Sequence, residues 1–166
     1  MIEQTLVLVK PDGVFRGLIG EIIKRFELRG LKVIGMKMIL LDKDFARKHY
    51  TDDIEQRHGK HVRESQVKFI TEGPVVALCI EGHDSVKIVR KIIGTTYPDE
   101  SPVGSIRGDF AHITKEYLKD KKNKGNACHN LVHASGNKEE AELETKLWFS
   151  EAELYQYPLA HERHIF

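Results

Sequence analysis

His133 lies within residues 129–137, HNLVHASGN, after an apolar pair and before Ala-Ser-Gly-Asn. Three chemistries suit it. A histidine beside apolar residues is most often a hydrogen-bonded core side chain. With Cys128 and His129 it makes a weakly zinc-like spacing, although no fourth ligand is indicated. As a neutral imidazole it is a good nucleophile near neutral pH, and Glu144 on the following helical stretch could orient the ring. Spacing alone leaves all three open.

A second group of residues suits phosphate. Lys10 follows the apolar run 5–9 and opens Lys-Pro-Asp-Gly. A tight strand-to-helix turn explains Pro11, Asp12 and Gly13, with Gly13 supplying a left-handed residue. It does not explain a cation at the end of a buried strand, where a lysine serves phosphate as a point charge. The glycine spacing is not that of a Walker A loop. Arg90 and Arg107 are either surface salt-bridge partners or, with the hydroxyl of Thr96, a clamp of planar guanidinium forks on phosphate.

The elements that must carry these residues follow from periodicity. Residues 5–9 read as a buried strand and 18–30 as a helix with Ile19, Ile22, Ile23 and Phe26 on one face. Residues 32–41 place Ile34, Met36, Met38 and Leu40 at period two, a half-buried strand. Residues 42–50 form a short helix, 74–82 a buried strand and 84–94 a helix capped by Asp84 or Ser85. Residues 104–114 read as another strand. Residues 137–149 begin a helix with Asn137 as cap and Glu140 three residues on. The order is strand and helix in alternation, with a late helix. It predicts a small sheet covered by helices, the split βαβ arrangement included. Residues 115–129, with Lys115, Lys119, Lys121, Lys122 and Lys124, read as a solvated surface excursion.

The 166 residues fit one domain, 1–166, with room for a core. Charged residues make up 31% and the net charge is +1, so no global basic field calls for nucleic acid, and none is an expected partner. Cys79 and Cys128 form no CxxC pair, and Cys79 lies in an apolar run, which favours a reducing compartment. The first residues are too acidic and their apolar stretch too short for a signal peptide. No run reaches membrane-span length. A cytoplasmic location without membrane contact is the expectation.

Taken together, TLVLVKPDGVFRGLIGEIIKRFE, the pair His49-Tyr50, GPVVALCIEG, GTTYP, GSIRGDF, NLVHASGN and LWF occur in one order. That ordered set resembles nucleoside diphosphate kinase over nearly the whole chain. The resemblance implies an α+β fold, a ferredoxin-like βαββαβ sandwich with added helices, here with the Lys-rich segment as a surface insertion. It implies transfer of the γ-phosphate of a nucleoside triphosphate to a nucleoside diphosphate, ping-pong through a phosphohistidine, with Mg²⁺. It implies a homo-oligomer, a hexamer rather than a tetramer. By motif, His133 is the nucleophile. Lys10 contacts the phosphates and the sugar 3′-hydroxyl, Asn130 reaches the sugar, and Tyr50 hydrogen-bonds Lys10. Arg90, Thr96 and Arg107 bind phosphates, and Ser135 and Glu144 support the ring. No residue of the chain is assigned to the metal.

The chain departs from the family pattern in three places. Between Tyr50 and Gly73 the family usually carries a phenylalanine that stacks on the base. Here His61-Val62 takes that position, so Val62 is expected to make the base contact. Weaker nucleotide binding, or stacking by His61 or another residue, follows. His129 stands where arginine is frequent. Ala134 follows the histidine where glycine is usual, and would be strained if the backbone there needs a positive φ.

Overall fold

Strand β1 (Ile2–Val9) carries five successive buried residues, because it is flanked in the sheet and covered on both faces. The computed structural model describes residues 1–120, 122–123, 126–160 and 162. Strands β2 (Lys32–Ile39), β3 (Val75–His83) and β4 (Val132–Ala134) complete a four-stranded sheet of order β2-β3-β1-β4. Every pairing is antiparallel. This is the split βαβ order: the crossover from β1 to β2 leaves a gap that β3 fills.

One face of the sheet packs α2 (Ile19–Glu27) and α6 (Ser85–Ile93) over Val7, Val9, Leu78 and Ile80. The other packs α3 (Lys43–His49), α5 (Lys60–Ile70) and α9 (Lys138–Trp148) over Leu6, Leu8, Ala77 and Cys79. The period of two along β1 therefore divides the molecule into two clusters. Between β1 and α2 lies α1 (Pro11–Phe15), and α4 (Asp52–His58) precedes α5.

Three sequence expectations change here. Residues 104–114 are not a strand: they hold α7 (Ile106–Phe110). Ser105 accepts a hydrogen bond from Gly108 N, and Ile106 and Phe110 stand four apart, the spacing of one helical face. The missing strand is β4, around His133 itself, only three residues long and without a run to announce it. The expected inner face of β2 is also broken. A register shift between Val33 and Gly35 turns the strand over, so Ile34 is buried while Met36, Met38 and Leu40 are 61%, 58% and 67% exposed. The Lys-rich excursion holds a short helix, α8 (Lys115–Lys119), while Lys121 and Lys124 lie outside the described residues. Among the described residues no helix is long and apolar enough to cross a membrane.

Candidate active site

The end of β1, α1 and β4 meet at Leu131. Lys10 N–H donates to Leu131 O at 2.8 Å, and Leu131 N–H donates to Asp12 Oδ2 at 3.0 Å. Leu131 is fully buried with φ +71°, a left-handed backbone that a leucine adopts only when its surroundings impose it. Asp12 thus bonds across to the β4 segment, not within its own turn. Gly13 has no left-handed backbone. An added Cβ would stand 2.8 Å from Val9 Cγ1 and 3.0 Å from Leu131 O, so glycine is needed for close approach. The positive φ lies at Leu131 and not at Ala134, which is ordinary strand.

β4 sets His133 opposite Leu8 and points it toward α9. His133 Nε2 lies 3.0 and 3.1 Å from the two oxygens of Glu144. Ser135 Oγ donates to Glu144 Oε2 at 2.5 Å. Burial pushes the Glu144 carboxyl up, but His133, His49 and the Ser135 hydroxyl outweigh it and hold it at about 2. A carboxylate only accepts, so Nε2 must carry the proton. That leaves Nδ1 with its lone pair.

Behind this pair sits His49, a residue whose role the sequence did not disclose beyond the His49-Tyr50 pair. Its ring is 4.6 Å from the His133 ring at 86°. Trp148 Nε1 donates to His49 Nδ1 at 3.3 Å, so its proton is on Nε2, a buried atom with no partner among the described residues. Burial, with the adjacent His133 charge, pushes the His49 pKa down to about 3. Its 3.6 Å approach to Glu144 is therefore no ion pair at neutral pH. His49, His133 and Glu144 offer ligand atoms within 4.8 Å of one another. Cys128 and His129 are not part of that cluster: the thiol faces Thr96 O and the His129 ring lies on Phe69. The zinc reading of Cys128, His129 and His133 finds no common centre among the described residues.

The cations come from the junction of β1 and α1 and from α6 and α7. Lys10 is 4% exposed, and its Nζ donates to Cys128 O at 2.8 Å and Asn130 Oδ1 at 2.6 Å. It does not bond Tyr50, whose hydroxyl makes no hydrogen bond among the described residues. Burial, with the Glu144 and Asp12 charges, pushes the Tyr50 phenol up. Asn130 Nδ2 donates to Thr96 O at 2.7 Å. Arg107 is buried and donates to four carbonyls: Asn130 O, Gly94 O, Thr95 O and Val132 O. Four of its five N–H groups are thus committed. Arg90 is exposed on α6, close enough for its charge to help hold Arg107 down to about 10, after burial as the main cause. Thr96 is exposed, with its hydroxyl unbonded among the described residues. Val62 is half-buried on α5, and its neighbour His61 is the residue of that pair that lines the adjoining cleft. The structure thus brings Lys10, Tyr50, Arg107, Asn130, His133, Ser135 and Glu144 together, while Val62 stands aside.

Burial lowers the Lys10 pKa to about 8, against the attraction of Asp12. The charged form is present below that value and is lost above it. We expect kcat/KM, which reports the substrate-free protein, to fall toward tenfold per pH unit above about 8. A kcat/KM profile flat to about pH 10 would show that Lys10 keeps its ordinary basicity.

A family model described as nucleoside diphosphate kinase matches residues 3–154. A nucleoside diphosphate kinase from Pyrococcus furiosus is 46% identical over 156 residues, 94% of this chain and 88% of that protein. One from Borreliella burgdorferi is 42% identical over 158 residues, 95% of this chain and 93% of that protein. Among solved structures, a transition-state mimic of the Borrelia burgdorferi enzyme with bound vanadate and ADP superposes with TM-score 0.93 at 41% identity, covering 98% and 96% of the two chains. A Halobacterium salinarum nucleoside diphosphate kinase in complex with CDP gives 0.84 at 35% identity, covering 100% and 99%.

Proposed function

As a member of the nucleoside diphosphate kinase family, this chain passes the γ-phosphate of a nucleoside triphosphate to a nucleoside diphosphate through a phosphohistidine, and we propose that Nδ1 of His133 carries it. The observation that supports this choice is the Glu144 contact, which takes up Nε2 and leaves Nδ1 as the basic nitrogen.

In the first half-reaction the Nδ1 lone pair attacks the γ-phosphorus and the bond to the β-phosphate oxygen breaks, releasing the diphosphate. In the second, the terminal oxygen of the acceptor diphosphate attacks the same phosphorus and the nitrogen–phosphorus bond breaks. Charge spreads over the equatorial oxygens, so catalysis is mostly positioning and counter-charge. Lys10 supplies a desolvated cation, Arg90 an exposed one and Thr96 a hydroxyl. Arg107 keeps one N–H for a phosphate oxygen while its other four hold backbone carbonyls. Glu144 fixes the ring orientation and tautomer, and Ser135 fixes Glu144. Asn130 holds Lys10 and reaches the ribose. The Borrelia burgdorferi relative is a transition-state mimic with bound vanadate and ADP, which accords with a site for phosphoryl transfer.

The family depends on a divalent cation, which we assign as Mg²⁺. The donor set of His49, His133 and Glu144 is nitrogen-rich and does not suit that ion, which prefers oxygen and keeps water. Mg²⁺ therefore fits here as an ion carried by the substrate phosphates, neutralising their charge, with no ligand from the chain. The chain is a homo-oligomer, a hexamer in preference to a tetramer. The exposed row of Met36 and Met38 on the edge strand β2, with Leu40 just past its end, supports self-association. A cytoplasmic location accords with nucleotide substrates and free thiols at Cys79 and Cys128.

Brief incubation with γ-labelled ATP and Mg²⁺ tests the reading. The protein should take up label that is acid-labile and base-stable, and lose it to added GDP. Nucleotide binding without such label would leave a binding protein on this scaffold.

A further inference from the structure

Beside the Lys10–Asn130 pair opens a cleft of about 440 Å³. Val62, at the position where the family usually carries a phenylalanine, does not line it. The rings of His61, Phe69, Tyr117 and His129 line it. His129 lies flat on Phe69, with ring centroids 4.3 Å apart and planes 9° apart. Phe69 is itself fixed, being buried and 5.0 Å below Lys10 Nζ. His129 is thus an exposed ring with one face seated on a rigid neighbour. Tyr117 enters from α8, within the Lys-rich excursion, and is 51% exposed. That helix is anchored at its start. The Thr114 hydroxyl accepts from Tyr117 N, and Lys115 Nζ pairs with Glu100 at 3.0 Å and lies 4.9 Å from the Tyr97 ring.

The cleft adjoins Lys10 through Phe69, within reach of the base of a nucleotide whose phosphates lie at Lys10 and His133. We propose that His129, backed by Phe69, is the base-stacking platform of this chain, and that Tyr117 walls the same cleft, giving the Lys-rich excursion a part in nucleotide binding. The proposal rests on the placement of phosphates given above. Stacking on a flat ring is tolerant of base identity, since every base has a π-face. The ring stands where arginine is frequent in the family. The platform thus takes the part that Val62, half-buried on α5, cannot fill.

ADP affinity measured by calorimetry tests it, with tripolyphosphate as a base-free competitor. His129→Ala should weaken ADP roughly tenfold, and Tyr117→Ala severalfold. His129→Phe should bind ADP within about twofold of the native chain, because the flat face persists. Tripolyphosphate affinity should be the same in all. In turnover the loss should fall on KM, with labelling at saturating ATP preserved. ADP affinity unchanged in both alanine variants would overturn the proposal. So would an equal loss for tripolyphosphate, which would make His129 a phosphate contact. Failure of the native chain to take label from ATP would instead break the assignment of His133, leaving the ADP comparison readable.

Discussion

His133→Ala should take up no label from γ-labelled ATP, and its phosphotransfer between ATP and GDP should fall by on the order of 10⁴-fold or more. The substitution removes Nδ1, the ring nitrogen that the Glu144 contact leaves with its lone pair. His49 cannot replace it: its Nδ1 accepts from Trp148 Nε1 and its Nε2 is buried. Glu144 keeps the Ser135 hydroxyl bond, so the fold loses little. Lys10, Asn130 and Arg107 do not touch His133, so ADP affinity should stay within about threefold of native. Activity and binding therefore separate. If His133→Ala still carried acid-labile label, the nucleophile would be another residue. If ADP binding were lost with the label, the ring would be a ligand contact or a support of the fold.

The parts of this site legible in the sequence were those announced by residue type at a break in pattern. Lys10 after a buried strand and Glu144 on a capped helix are such breaks, and both reach the centre. The ordered motifs added His133, which its own surroundings left open among three chemistries. What remained hidden is set by tertiary contact. Three residues are enough for β4 because β1 is already there to pair with them, and so short a strand has no periodicity to read. The turn-over of β2 depends on a bulge at Val33 and Gly35, and one residue out of register moves Met36, Met38 and Leu40 from core to surface. The strain at Leu131 arises from bonds to Lys10 and Asp12, more than a hundred residues earlier in the chain. The pairing of His129 with Phe69 is likewise a product of the fold. The α7 segment is a different case: Ile106 and Phe110 stand at helical spacing, but five residues are too few for that period to decide between helix and strand.

Arg107→Ala should be costly in a different way, through stability as well as rate. The guanidinium donates to carbonyls of two separate segments, Gly94 and Thr95 after α6 and Asn130 and Val132 leading into β4. Those segments carry Thr96 and His133. Truncation leaves four acceptors facing a hole in a buried region, and each had been bonded to a charged donor. Bonds of that kind contribute about 1.5–3 kcal/mol each but do not add in full, because water can enter the space. A net loss of about 4 kcal/mol is the expectation, which for a domain of this size lowers Tm by roughly 8–16 °C. Burial, the main cause, and the nearby Arg90 lower its pKa only to about 10, so the group is cationic at neutral pH and the alanine also removes the counter-charge proposed for phosphate. A fall in kcat/KM of about 10³-fold is expected, shared between the lost charge and the displaced segments. Arg107→Lys separates the two contributions. It restores a cation but offers three donors without the planar fork, so it should recover part of the rate and less than half of the Tm. Thermal unfolding beside steady-state kinetics measures both. A Tm within about 2 °C of native for Arg107→Ala would mean that the four carbonyls find water at no cost, and that Arg107 acts on phosphate alone.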